Sequence, residues 1–205
     1  TEVHRQMMGD VRTTGRPVVR LDPPEVVVAA PDRPGLLASV TGVLALHGLD
    51  VRSADVTGAD GVAAEVFTVE VGRGSWPDGA KLREDLEAVL SDRLVLTDRL
   101  EAKARAYAST RRPSAARPVV PRVLVNNEAS ASSTVVELRA DNEVGLLHRV
   151  TLALFDCELD VVSARVSTFG DAVVDAFYVR DRTGRKVTDR RTLGTVAQRL
   201  GDAIR

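Results

Sequence analysis

Two stretches of the chain repeat one pattern of apolar and polar positions at an offset of 110 residues. Each opens with a β-branched apolar run that predicts a strand, at residues 25–30 in the first copy and 133–140 in the second. After a polar turn, apolar residues recur at the spacing of an amphipathic helix. These positions are Leu36, Leu37, Val40 and Leu44, then Leu146, Leu147, Val150 and Leu154. Internal duplication explains the constant offset better than chance does.

Two further strands and a second helix follow in each copy. In the first copy, strand-like runs at 49–56 and 62–71 flank a glycine turn at 57–61, and a helical pattern covers 77–94. In the second copy, the equivalent strands are at 159–166 and 172–181, the turn between them is at 167–171, and the helical pattern covers 188–205. The order β-α-β-β-α predicts most of a split βαβ sandwich in each copy.

The fourth strand of this sandwich has to come from another part of the chain. Strand-like runs at 16–22 and 121–127 lie just before the two copies. They predict a permuted unit in which the usual last strand comes first. A rival interpretation makes 121–127 the final strand of the first copy, so that the second copy borrows an edge strand from a partner. The predicted fold class is α+β, with two tandem ferredoxin-like domains, each a four-stranded antiparallel sheet with two helices on one face.

Composition shifts suggest the domain organisation. Residues 1–15 are interpreted as the tail of an upstream region, because the chain does not begin with methionine and has no signal core. The first domain is expected at 16–100 and the second at 121–205. Between them, residues 101–120 gather Arg, Pro, Ser and Ala and are interpreted as a linker that follows a helix tail.

Charge and cysteine content exclude several classes of function. The 28 basic and 29 acidic residues give a net charge of −1, which does not attract nucleic acid or an anionic membrane. The single cysteine, Cys157, cannot form an intrachain disulfide, and no apolar run reaches the roughly 18 residues of a membrane span. We therefore expect a cytoplasmic protein with no nucleic-acid and no membrane partner.

Catalytic motifs are missing from the sequence. It has no phosphate-binding loop, no nucleophile elbow, no dinucleotide fingerprint and no metal-ligand spacing of histidines, cysteines and carboxylates. His47 and His148 lie on predicted helices without partners. We expect no catalytic residue, no metal and no cofactor in this chain.

The candidate site is the pair of turns between the first strand and the first helix of each copy. Unpaired N–H groups and the positive dipole end of a helix favour a carboxylate there, and glycine allows close approach. A free amino acid offers the matching group, with Asp32 or Asn142 taking its ammonium or side-chain amide and Asp50 or Asp160 forming the opposing wall. The candidate ligand-binding turn residues are Asp32, Arg33, Pro34, Gly35, Leu36 and Leu37, then Asn142, Glu143, Val144, Gly145, Leu146 and Leu147.

Simpler roles are open for the same residues. Asp32 and Asn142 are more often plain helix caps, and the glycines can serve only the packing of helix on strand. Asp175 is expected to be a capped or paired carboxylate at the sheet rim. The second turn lacks the proline of the first, so the first site is expected to be the better formed.

The motifs resemble a known family. The run D-R-P-G-L-L, a helix, then L-D-V-x-S-A-x-V and a strand ending in F-x-V resemble the ACT domain, a small fold that usually binds amino acids in regulated enzymes. Two such units over residues 16–205, with S-A-R-x-S-T-x-G-D-x-V-x-D-x-F-Y-V at 163–179, resemble the C-terminal region of the bifunctional PII uridylyltransferase/uridylyl-removing enzyme family.

This resemblance implies a glutamine-sensing regulatory region in the control of nitrogen assimilation. In that family a nucleotidyltransferase modifies the PII signal protein, a metal-dependent HD hydrolase reverses the modification, and magnesium is implied for the parent enzyme. PII is therefore a partner through the parent enzyme, and a homodimer by sheet-edge pairing is conceivable. The alternatives are a free-standing ACT-repeat adaptor that pairs sheet edges with proteins, and the regulatory tail of an amino-acid biosynthetic enzyme.

Overall fold

A computed structural model describes residues 2–72, 75–110, 119–169 and 172–205. The helices in this part of the chain are α1 (Glu2–Thr14), α2 (Leu36–Leu46), α3 (Gly79–Leu90), α4 (Leu96–Thr110), α5 (Leu146–Asp156) and α6 (Arg190–Ala203). The strands are β1 (Val18–Asp22), β2 (Glu25–Pro31), β3 (Leu49–Ala59), β4 (Val62–Val71), β5 (Arg122–Asn126), β6 (Thr134–Asp141), β7 (Leu159–Phe169) and β8 (Ala172–Asp181). Unit one here means β1 to α3, and unit two means β5 to α6.

The eight strands form one antiparallel sheet in the order β1-β2-β4-β3-β7-β8-β6-β5. In unit one, β1 forms a hairpin with β2 and takes the place of the last strand of a ferredoxin-like sheet. In unit two, β5 pairs with β6 in the same way. The permuted arrangement is therefore confirmed. The rival interpretation is wrong, because β5 completes the sheet of unit two and not that of unit one.

The turn between β3 and β4 shows why the hairpin forms where the glycine signal predicts it. Asp60 and Gly61 have φ values of 52° and 74°, so both central residues lie in the left-handed region. A two-residue turn of this kind matches the right-handed twist of the flanking strands. The equivalent turn of unit two was predicted at 167–171, and its residues 170–171 lie outside the described residues.

The core of each unit lies between the sheet and two helices on one face, as predicted. Inward positions alternate along the strands, as the pleat requires, and contact α2 and α3 or α5 and α6. Phe67 and Phe177 have no exposed surface and lie at the centres of the two units. Their backbones stand in one row across the sheet with Ala54 and Ala164 between them. Small side chains thus occupy the junction of the two units.

Two segments outside the predicted units are helical and packed. Met7 and Val11 of α1 are buried against Val27 and Ala29, on the face of β2 opposite to α2. In the segment predicted as a linker, residues 101–110 continue α4, whereas 111–118 lie outside the described residues. The domain boundaries themselves remain a prediction.

Candidate functional site

The two units meet edge to edge through equivalent residues. Strand β3 pairs with β7, and Ala54 lies opposite Ala164 in the centre of this pairing. On the helical layer, the hydroxyl oxygens of Thr41 and Thr151 are 3.1 Å apart. The residues of each pair differ in number by the repeat offset of 110. The units are therefore related as the subunits of an isologous dimer are, but within one chain.

His148 belongs to this junction. Its Nδ1 donates a hydrogen bond to the Ala38 carbonyl oxygen over 2.7 Å, from α5 to α2. The prediction that His148 has no partner is therefore wrong, and it is also wrong for His47, whose Nε2 lies 2.9 Å from Asp85 Oδ2. Because the ring is buried, with only 8% of the residue exposed, its pKa is lowered and the neutral form is favoured.

Two clefts flank the junction, and each is built from both units. Cleft one is lined by the turn of unit one, residues 32–37, and by Asp160 at the start of β7 in unit two. Phe155 and Arg182 close its far side. The cavity volume is about 530 Å³. Cleft one therefore exists only where the two units are packed together.

Cleft two is the counterpart on the other side of the junction. It is lined by the turn of unit two, residues 142–147, and by Asp50 at the start of β3 in unit one. Lys103 and Tyr107 of α4 add a wall that cleft one lacks. The cavity volume is about 190 Å³. The candidate residues are thus brought together crosswise, with Asp160 facing the first turn and Asp50 facing the second, while their roles stay predictions.

Helix α4 explains why the two clefts differ in size. Lys103 Nζ donates to the Leu46 carbonyl oxygen over 2.7 Å, which holds α4 against the end of α2. Leu100 Cδ1 lies 3.5 Å from the position that a Cβ on Gly145 would occupy. The apolar side chain of Leu100 therefore packs directly on the turn of cleft two, whereas a Cβ on Gly35 would meet the ring of Phe155, at 3.9 Å.

The helix starts in both clefts are not capped by side chains. Gly35 and Gly145 are the N-caps of α2 and α5, with φ values of 74° and 80°, and neither helix has a side-chain capping bond. The expectation that Asp32 and Asn142 serve as helix caps is therefore wrong. The N–H of Leu36 donates to the Arg33 carbonyl oxygen and that of Leu146 to the Glu143 carbonyl oxygen, and the next N–H groups of each first turn are left for another acceptor at the cleft.

A buried carboxyl group forms part of the lining of each cleft. Glu65 lines cleft one and Asp175 lines cleft two, and they are only 1% and 2% exposed. Glu65 Oε2 and Asp175 Oδ1 are buried without a hydrogen-bond partner among the described residues. Asp175 was expected to be a capped or paired carboxylate at the sheet rim, and it is instead buried, with one of its two oxygens left without a partner among the described residues.

Burial explains the electrostatics of these two carboxyl groups. Desolvation, with a smaller contribution from the charge of Asp32, raises the pKa of Glu65 to about 8. Desolvation also raises the pKa of Asp175 to about 7, although a backbone hydrogen bond from Ser167 opposes it. Burial raises the pKa of Asp50 and Asp160 as well. Each cleft therefore combines a buried carboxyl group that favours its neutral form with a second, less buried carboxyl group.

The sequence analysis missed Glu65, although a signal was present. Glu65 lies between Ala63 and Phe67 at inward positions of β4, where an acidic residue interrupts an otherwise apolar alternation. The repeat offset places it at the position of Asp175. An acidic residue at the same inward position of both copies is unexpected in a pure core, and this coincidence could have marked the site.

The described residues hold no cluster of metal-ligating side chains. Histidine, cysteine, aspartate and glutamate nowhere group in threes as metal ligands would in this part of the chain. The described residues thus offer no ligand set for the magnesium implied for the longer enzymes. None of the described helices is long and apolar enough to cross a membrane.

Comparison with known families agrees with the fold. Residues 25–75 match the model of the ACT domain, and residues 129–204 match the model of the N-terminal ACT domain of the ACR family. The chain carries two ACT domains. Their first strand, glycine turn and first helix are the elements that build the two clefts.

The ACT pair is similar to one region of longer bacterial proteins. A Rhodospirillum rubrum protein named bifunctional uridylyltransferase/uridylyl-removing enzyme is 37% identical over 98% of this chain and 22% of its own length. A protein of the same name from Azospirillum brasilense is 38% identical over 88% of this chain and 20% of its own. The chain thus spans about a fifth of these relatives. The match to a solved Galdieria sulphuraria protein of unknown function covers 87% of this chain and 89% of that protein, at 16% identity. Its TM-score of 0.27 is too low to indicate a shared fold.

Proposed function

We propose that the ACT pair is an amino-acid-sensing regulatory region, and that glutamine is its ligand. The main support for this proposal is that each cleft joins an uncapped helix start of one unit to a strand of the other. A buried, unpartnered carboxyl group lies in the same cleft. Buried polar groups without partners are uncommon in native structures, so they indicate a site that a polar ligand completes.

The groups in cleft one fit the two charged ends of a free amino acid. The N–H groups after Gly35 and the positive end of the α2 dipole suit the α-carboxylate. Asp32 and Asp160 lie on opposite walls of the cleft and offer carboxylates to the α-ammonium. The ligand would therefore contact both units at once.

This placement suggests how binding would be transmitted. A ligand held between the turn of one unit and the strand of the other favours the packed arrangement over any looser one. It shifts that equilibrium only by the difference between its affinities for the two arrangements. In the full-length protein, the shift would reach a nucleotidyltransferase and a uridylyl-removing hydrolase that act on PII in the cytoplasm.

A second candidate function is that of an ACT-repeat adaptor. Strands β1 and β5 form the two outer edges of the eight-stranded sheet. Exposed edges can accept a strand from another protein or a second copy of this chain. This function needs no amino acid, so a binding measurement separates it from the first.

Calorimetric titration of the 205-residue chain tests the proposal. We expect saturable heat with glutamine, and affinities at least about tenfold weaker for glutamate, serine and phenylalanine, because each loses a polar pairing or adds a buried charge. A folded sample that gives no heat with any of these amino acids would contradict the sensor proposal and favour the adaptor. Selective binding of one of the other three would instead favour the regulatory tail of a biosynthetic enzyme.

A further inference from the structure

We propose that Glu65 acts in cleft one as a neutral carboxylic acid that recognises the carboxamide of the ligand side chain and disfavours a carboxylate in its place. This inference rests on the proposed function, because it assumes that an amino acid occupies the cleft. It goes beyond that function by naming the residue that distinguishes glutamine from glutamate.

The position of Glu65 supports this role. In the sheet its backbone lies between Val28 of β2 and Val56 of β3, so its immediate strand neighbours are apolar. The side chain lines cleft one, and its Oε2 is buried and unpartnered. A buried polar atom that has no protein partner can be satisfied by a group that enters the cleft.

The charged groups around the cleft do not hold Glu65 in its ionised form. Those lining the cleft are Asp32, Arg33, Asp160 and Arg182. Arg33 donates to the Leu90 carbonyl oxygen, and the Arg182 guanidinium lies 5.8 Å from the centre of the Phe155 ring. Within the described ranges, no cation forms an ion pair with Glu65.

The helices next to the cleft place no charged side chain in its lining, and Arg149 of α5 donates to Glu143 and to the Ala203 carbonyl oxygen. Helix α2 carries no ionisable residue between Leu36 and Leu46. On α5, the ring of His148 contacts the Ala38 carbonyl oxygen and favours its neutral form because it is buried. Asp32 adds negative charge near Glu65, which further disfavours a second carboxylate in this space.

The hydrogen-bonding pattern decides between the two ligands. A neutral carboxylic acid has one O–H donor and one carbonyl acceptor, and a primary amide offers the complementary acceptor and donor. The two groups can therefore pair through two hydrogen bonds. A carboxylate has acceptors only, so one oxygen of Glu65 would face another oxygen, and a charge would be buried beside Asp32 and Asp160.

The proposal predicts a specific pH dependence of glutamine binding, because Glu65 titrates. Burial raises the pKa of Glu65 to about 8, so the side chain is largely protonated at neutral pH. Below this pKa the neutral acid is present and the amide can pair with it. As pH rises through about 8, the proton is lost and a carboxylate remains, which accepts from the amide N–H but repels its carbonyl oxygen. Affinity for glutamine should therefore fall on the alkaline side.

The test is a titration of the full chain in which the backbone amide resonance of Gly35, a residue of cleft one, reports binding. Wild type and Glu65→Gln are titrated with glutamine and with glutamate at about pH 6.5 and about pH 9. Glutamine at position 65 keeps the shape, one donor and one acceptor, but it cannot ionise. The control variant is Glu25→Gln, which removes an exposed carboxylate of β2. The ammonium of the ligand titrates equally for all three proteins.

We expect Glu65→Gln to bind glutamine within about threefold of wild type at the lower pH, and to lack the extra loss of affinity that wild type and Glu25→Gln show at the higher pH. A loss of about tenfold or more at the lower pH in Glu65→Gln would overturn the inference, since it would indicate an ionised Glu65 paired with the ammonium. Identical pH profiles in all three proteins would also overturn it. If wild type binds by calorimetry, either result leaves the proposed function intact. If Gly35 does not respond in wild type at either pH, both proposals fail at cleft one.

Discussion

Replacing Gly35 with valine is expected to weaken glutamine binding at cleft one by about fivefold or more. The φ of Gly35 is 74°, a conformation that costs a residue with a Cβ atom about 1–2 kcal/mol and is least accessible to β-branched residues. The added Cβ itself would lie 3.9 Å from the Phe155 ring, an ordinary contact. Backbone strain, rather than collision, therefore moves the turn and its N–H groups.

The magnitude follows from this strain. If the turn relaxes in the free protein, binding has to restore it, and about 1–2 kcal/mol corresponds to a loss of roughly 5- to 30-fold in affinity. The side chain also fills space that the ligand would occupy, which increases the loss. Calorimetry with glutamine measures the effect. Gly184→Val is the matched control, because Gly184 has a φ of 77°, has no atom within 4 Å of the added Cβ and lines neither cleft. Equal affinities in the two variants would contradict the placement of the ligand.

Replacing Phe67 with alanine is expected to lower the free energy of unfolding by about 3–5 kcal/mol. The ring is fully buried in β4, directly opposite Ala54 of β3 in the sheet. Alanine leaves a cavity beside the strand that joins the two units, and the close-packed surroundings cannot fill it completely. Because β3 pairs with β7 at this point, the loss should loosen the junction as well as unit one.

Chemical denaturation measures this loss. Leu152→Ala is the control, because Leu152 is an exposed residue of α5 and its truncation should change the free energy of unfolding by less than about 0.5 kcal/mol. If Phe67→Ala were as mild as Leu152→Ala, the row of residues that crosses the unit junction would not be the packed centre that the structure shows.

Much of the fold could be predicted because local patterns determine it. Alternating apolar residues predicted the strands, and the spacing of Leu36, Leu37, Val40 and Leu44 predicted α2. The constant offset then carried the same assignment to the second copy. The permuted strands were also predictable, because a short turn joins the strand-like run at 16–22 to β2 and allows the two to form a hairpin.

The crosswise construction of the clefts could not be predicted from these patterns. Sequence periodicity shows which face of a strand is apolar, but not which edge strand of one unit pairs with which of the other. The sequence analysis therefore named Asp50 and Asp160 without deciding which turn each would face. Edge pairing was considered between two proteins, whereas the structure shows it between β3 and β7 of one chain. A homodimer through the outer edges remains a prediction.

The second site was predicted to be less well formed than the first because its turn lacks a proline, and this reason explains only part of the difference between the clefts. The missing proline at Val144 suggested a less rigid second turn. The structure adds α4, which places Leu100 against Gly145 and leaves cleft two with the smaller cavity. Residues 101–120, which include the second part of α4, were interpreted as a helix tail and linker because they lose apolar periodicity and gather Arg, Pro, Ser and Ala. Tertiary contact thus gives residues 96–110 a role that composition could not indicate.

The most direct measurement of the central claim is a glutamine titration of the isotope-labelled chain that follows the amides of Gly35 in unit one and Asp160 in unit two. The claim is that one ligand contacts both units in cleft one. It predicts that the two amide resonances shift together, with the same midpoint, and that in Gly35→Val both midpoints move together to higher glutamine concentration. A shift at Gly35 with none at Asp160, or two different midpoints, would contradict a ligand site shared between the units.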